Sequence, residues 1–200
     1  SWGFDKGAVM KQKQLCPAGT DWRERPVRDF TGSPSDRIGR EWMLISAGNA
    51  GADGGGDWNT MTASWGGLGV LWGRDVAFMF IRPSRRTFEF ANNNQLFTLS
   101  FFDESHREAL NFIGSNSGRD YDKAARTGLR PLIFGADIAE GRAAGAIGFQ
   151  EARDIIVCRK LYVHDFDPRC FLDAPLIEKS YNGTDYHRMY IGEILTVLGH

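Results

Sequence analysis

Two hundred residues with 42% apolar content suit one domain with a real core, and a formal net charge of −1 provides no bulk attraction to nucleic acid or to an anionic membrane. No run approaches transmembrane length, and no leader-type segment is read at the first residues. Three cysteines (Cys16, Cys158 and Cys170) without CxxC spacing argue against a disulfide framework or a metal site, so a reducing cytoplasm is expected.

In chain order, residues 1–36 are polar and proline-punctuated (Cys16-Pro17, Arg25-Pro26, Ser33-Pro34) and read as an irregular N-terminal arm; 37–200 read as one domain. Glu41 to Ala47 predicts a barrel-type strand. Gly48 to Asp57 is a glycine-rich loop and a candidate lid. Asp57 to Gly66 is small and polar, suited to lie against a flat ligand, and is followed by a glycine turn at Gly66-Gly67. Val76 to Arg82 is apolar, ends at Pro83, and reads as a buried strand. Ser84 is a candidate N-cap for a helix over Arg85 to Asn93.

Leu96 to Phe102 predicts a strand with Thr98 and Ser100 on one face. Asp103 is placed to cap a helix ending at Gly114; after a polar loop, Asp120 is placed to cap a second helix ending at Gly128. Leu132 to Phe134, Ala144 to Gln150, Asp154 to Phe166 and Tyr186 to Leu198 read as strands, the last two long enough for a bent barrel ribbon. Asn182-Gly-Thr184 matches a glycosylation acceptor but reads better as an Asn-Gly turn. The sum is a mainly β, mostly antiparallel barrel with two or three inserted helices. A doubly wound α/β fold is disfavoured, because no Gly-x-Gly-x-x-Gly follows a strand.

The arginine segment carries the clearest chemistry. A helix N-terminus is the positive end of the dipole, yet Arg82, Arg85 and Arg86 crowd it. A phosphate there, taken by free amides, the Ser84 and Thr87 hydroxyls and the guanidinium forks, relieves that repulsion. The alternative is that the arginines extend into water or pair with distant carboxylates. No nucleophile–base pair and no metal-type spacing appear, as His106 and Glu108 lack the His-Glu-x-x-His pattern.

Four motifs in order resemble the flavin reductase-like family, which includes the flavoredoxins: Asn59-Thr-Met-Thr-Ala-Ser-Trp65, Arg82-Pro-Ser-Arg-Arg-Thr87, Ser117-Gly-Arg-Asp-Tyr-Asp-Lys123 and Asp185-Tyr-His-Arg-Met-Tyr-Ile-Gly-Glu193. Each alone is weakly specific; their order over roughly residues 38 to 198 is the signal. The resemblance implies a Greek-key, antiparallel split β-barrel that binds FMN. It implies that Thr60, Met61, Thr62, Ala63, Ser64 and Trp65 run along the flavin ring. By the same resemblance Arg82, Ser84, Arg85 and Thr87 hold the phosphate, Ser100 faces the cofactor, and Gly118, Arg119 and Lys123 close the phosphate or ribityl side. His187 is similar to a histidine near the flavin face where nicotinamide stacks, expected to titrate near neutrality; a satisfied core or surface histidine is the other reading.

Two activities fit: an NAD(P)H-dependent FMN oxidoreductase, and a flavoredoxin-type electron carrier working with a redox partner protein. For the first, hydride transfer needs stacked rings with donor and acceptor atoms roughly 3–3.5 Å apart and no protein acid or base. A third reading is a barrel without flavin. The resemblance also implies a homodimer with the cofactor near the interface. The N-terminal arm and the loop at 48–57 are not part of the shared core.

Overall fold

Alternation of apolar residues builds the sheet. In strand β2 (Met43–Ala50), Met43, Ile45 and Ala47 enter one core while Leu44 enters another. The same split recurs in β6 (Leu96–Phe101), where Phe97, Leu99 and Phe101 face the first core and Thr98 and Ser100 the opposite side. A computed structural model describes residues 21–50 and 56–200.

Eight strands form one antiparallel sheet in the order β3–β2–β6–β9–β10–β5–β4, with β1 also on β10. Their ranges are β1 Arg23–Arg25, β3 Gly56–Ala63, β4 Gly66–Leu71, β5 Arg74–Ile81, β9 Asp154–Asp165 and β10 Arg188–Gly199. Strands β7 (Pro131–Ile133) and β8 (Ile147–Phe149) make a separate pair. The first core lies on the face shared by all the long strands and contains Met61, Met79, Ile156 and Tyr190. The second lies outside, beneath helix α3 (Arg107–Ser115) and the β7–β8 pair, and contains Trp22, Leu110, Ile113, Phe149 and Leu198. The long strands β9 and β10 slip register between Ile191 and Gly192 and between Ile194 and Thr196, which bends the ribbon as expected.

Several elements depart from the sequence reading. Five short α-helices occur among the described residues: α1 (Pro34–Gly39), α2 (Thr87–Asn93), α3, α4 (Lys123–Thr127) and α5 (Ala174–Ser180). Gly66-Gly67 is no turn but the start of edge strand β4, where a Cβ on Gly66 would meet the Met43 side chain and the Phe78 carbonyl at 2.9 Å. The reversal comes instead at Trp72-Gly73, both with positive φ. Asp122, not Asp120, caps α4 by accepting from the Ala125 amide at 3.0 Å; Gly128 ends it at φ 73°. Asn182-Gly-Thr184 is a turn.

The N-terminal boundary also moves. Residues 1–20 lie outside the described residues, but Arg23–Arg25 pair with the end of β10 and Trp22 is fully buried. Arg25 and Arg37 both donate to the buried Asp154 carboxylate, which ties residues 22–39 to the start of β9. Of the candidate lid, residues 48–50 and 56–57 are paired strand, and 51–55 lie outside the described residues.

Candidate functional site

Strand β3 leaves its hairpin with β2 and ends at Ala63; Ser64 and Trp65 then cross to β4. Met61 and Ala63 point into the first core, while Thr60 and Thr62 point outward. Both outward hydroxyls are spent within the protein. Thr60 Oγ1 donates to the Ile45 carbonyl at 3.1 Å, and Thr62 Oγ1 to the Leu110 carbonyl of α3 at 2.6 Å. What the stretch leaves open is backbone and small surface. With Phe80, Arg82, Arg85 and His187, residues 61–65 line a cleft of 240 Å³. Three of the four motifs, distant in sequence, thus meet at one place.

The arginines meet this cleft in an unusual state. Arg82 donates to the Ser180 carbonyl at 2.6 Å, and Arg85 donates to the Gly114 carbonyl at 2.7 Å at the C-terminal end of α3. Among the described residues neither forms an ion pair with a carboxylate. Burial, together with the neighbouring Arg82 charge, lowers the Arg85 pKa. Arg86 differs, pairing with Glu89, which also binds Arg119.

The expected phosphate set is only partly assembled. α2 begins at Thr87, with Arg86 at its N-cap, so Ser84 does not cap it. Ser84 gives both its amide (3.0 Å) and its hydroxyl (2.6 Å) to the Asp185 carboxylate, the anion the chain itself supplies. Thr87 is fully buried and accepts from Asn59 Nδ2 at 2.9 Å. Among the described residues Arg82 and Arg85 therefore remain positive charges bonded to carbonyls and in no ion pair, with the Asp185 carboxylate acting on Arg85 from nearby.

Ser100 does not reach the cleft. It sits opposite Leu44 and Ile155 on the outer face of β6, fully buried, and its hydroxyl has no partner among the described residues. Gly118, Arg119 and Lys123 line a different cavity, of 660 Å³, which Asn59 and Thr60 also line. Lys123 is buried there and donates to the Thr60 and Ile113 carbonyls, both at 3.0 Å. Burial and the Arg85 charge push its pKa down to about 8. Its role in this geometry is to tie β3 to the end of α3. A Cβ at Gly118 would stand 2.1 Å from Asn59 Oδ1, so a larger residue there would displace the Asn59 side chain from Thr87.

His187 faces the cleft with its ring 5.1 Å from that of Trp65, and its Nδ1 is 2.9 Å from the Tyr181 hydroxyl. Burial, with the Arg82 charge adding, pushes its pKa down to about 4, not to the expected neutrality, so the ring is uncharged at pH 7. Sequence reasoning missed Phe80, Tyr181 and the Asp185–Ser84 contact. Asp185 stood in the fourth motif, but its target lies 101 residues away. Among the described residues, no group of three His, Cys, Asp or Glu side chains is placed to hold a metal ion, and no helix is long and apolar enough to cross a membrane.

No protein-family model matches the chain, and no curated protein matches it. Solved structures do match in fold. A flavoredoxin from Methanosarcina acetivorans is 17% identical at a TM-score of 0.59, with 80% of this chain and 68% of that one covered. An FMN-binding domain of flavin reductases-like enzyme from Shewanella baltica is 14% identical at 0.59, covering 90% and 77%. An FMN-binding protein from Thermus thermophilus is 17% identical at 0.58, covering 88% and 82%. At such identities the likeness is one of fold. The chain has the mainly β, antiparallel split-barrel fold of these FMN-binding proteins.

Proposed function

We propose that the chain is an FMN-binding oxidoreductase of the flavin reductase-like kind, moving electrons from reduced nicotinamide to flavin. One observation carries this reading: Met61–Trp65, Arg82, Arg85 and His187 converge on a single cleft whose two guanidiniums lack a carboxylate partner. FMN when bound would supply the redox chemistry. The chain's own residues would bind and orient it. The backbone of residues 61–65 suits close approach of a flat ring, and Arg82 and Arg85 suit a phosphate dianion, which would restore local charge balance. Phe80 and Trp65 would cover apolar ring surface and exclude water. His187, uncharged, is suited to hydrogen bonding and not to acid catalysis at neutral pH.

An absorbance spectrum of the purified protein with added FMN, followed by anaerobic NADH or NADPH, tests the reading. Flavin bands that bleach with either nucleotide are expected. Arg85→Ala is expected to weaken FMN binding by about 10- to 100-fold, the worth of one charged hydrogen bond. No FMN binding by either protein favours the barrel without flavin. The fold it shares with a flavoredoxin keeps a second reading alive, a carrier reduced only by a protein partner. Flavin bands that bleach with a low-potential donor but with neither nucleotide would select it.

A cytoplasmic homodimer belongs to the same reading. Among the described residues strand β4 pairs on one side only, and its end exposes Val70 (73%) and Trp72 (59%), the latter held at φ 52°. A large apolar side chain kept in a left-handed conformation and in water is a costly arrangement that a partner surface would explain. Light scattering at micromolar concentration is expected to give the dimer mass, and Trp72→Ser to reduce it. A wild-type monomer refutes this.

A further inference from the structure

Tyr181 belongs to none of the sequence motifs, yet two of the cleft's polar residues rest on it. Its ring is held between Phe171 (5.7 Å, edge-on) and Tyr186 (4.8 Å, stacked). The Arg82 guanidinium lies over its face at 5.0 Å, and Arg82 also donates to the carbonyl of the preceding Ser180. Its hydroxyl lies 2.9 Å from His187 Nδ1. We infer that Tyr181 is a positioning residue: its hydroxyl donates to His187 Nδ1, fixes the imidazole as the Nε2–H tautomer, and so presents an N–H donor to an acceptor atom entering between Trp65 and Arg82.

The direction of that bond follows from proton accounting. Among the described residues the Tyr181 hydroxyl has no other acceptor. Were it to accept from an Nδ1–H, its own proton would be buried without a partner, a cost of desolvation that donation avoids. With Nδ1 used as acceptor, the remaining proton of the neutral ring sits on Nε2. Among the described residues Nε2 has no hydrogen-bond partner, so it is the ring nitrogen available to a ligand. The charged groups facing His187 are Arg82, which opposes protonation, and Asp185, which favours it more weakly; burial sides with Arg82. Burial likewise keeps the Tyr181 hydroxyl protonated.

The tautomer does not depend on the flavin reading, whereas the ligand it serves does. Long-range ¹H–¹⁵N spectra of the ligand-free protein, with His187 assigned by comparison with His187→Gln, read the tautomer directly. The neutral Nε2–H pattern, persisting from pH 7 down to about pH 5, is expected. An Nδ1–H tautomer or an imidazolium at pH 7 overturns the inference. In Tyr181→Phe, which keeps the ring under Arg82, the acceptor signature at Nδ1 should vanish in favour of mixed tautomers. FMN should then bind about fivefold more weakly, the worth of one neutral hydrogen bond. An unchanged His187 signature in that variant overturns the inference as well. Failure of the wild type to bind FMN counts against the flavin reading alone, because the tautomer is read without ligand.

Discussion

His187 and Lys123 show how burial beside guanidiniums changes what a basic side chain is for. Each lies next to an arginine that lacks a carboxylate partner, and each is driven toward its neutral form. For His187 the folded pKa is about 4 against an ordinary 6.5. Between those values the unfolded chain takes up a proton that the folded protein refuses. Stability attributable to this group is therefore intact above pH 6.5 and drains away as the pH falls to 4. Urea midpoints for wild type and His187→Phe across that window test this. The wild-type curve is expected to fall more steeply, and parallel curves contradict it. Ser100 shows the opposite case: its side of β6 could be read from alternation, but which side faces the cleft could not, and its hydroxyl ends in the second core.

Among the elements, β10 has the most demanding geometry. It pairs with β9 along its whole length, with β5 along its first half and with β1 at its end. A bulge beside Gly192 shifts its register with β9 while the pairing with β5 runs on. A Cβ at Gly192 would stand 2.5 Å from the Phe97 ring and 3.0 Å from Cys158 Cβ, inside the first core. Gly192→Ala is expected to cost about 1–3 kcal/mol by overpacking, measured as a lowered urea midpoint with the same slope. α2 is instructive for a different reason. Its end at Asn93 was legible, but Ser84, a good cap by type, was drawn off by Asp185 across 101 residues. Local propensity lost to a tertiary partner.

At the scale of the whole molecule, a charge cluster joins the N-terminal segment to the sheet. Asp154, buried at the start of β9, receives Arg25 from β1, Arg37 from α1 and Arg153 from its own strand's approach. Arg37 also stacks on Phe30 and Phe101, at 4.7 and 5.2 Å. Removing the carboxylate's charge takes the ion-pair partner from Arg25 and leaves Arg37, with its side chain only 6% exposed, to Glu41 at 3.6 Å. Asp154→Asn is expected to destabilise the fold by about 3–5 kcal/mol. Limited proteolysis should then cut within residues 21–39 before the rest of the barrel, whereas a wild-type digestion pattern speaks against this role for Asp154.

Periodicity and chain chemistry determined the long strands, the antiparallel class and the glycine-ended α4, because these depend on neighbours a few positions away. The resemblance in Met61–Trp65, Arg82, Arg85 and His187 needed only order along the chain, and the fold brings those residues into one cleft. Only the tertiary structure decided which hydroxyls remain for a ligand. Thr60, Thr62, Ser84 and Thr87 are each matched to an internal partner from another element. Polar side chains on adjoining strands and helices compete for the same few donors and acceptors, and that competition is settled by three-dimensional proximity, which no local pattern encodes.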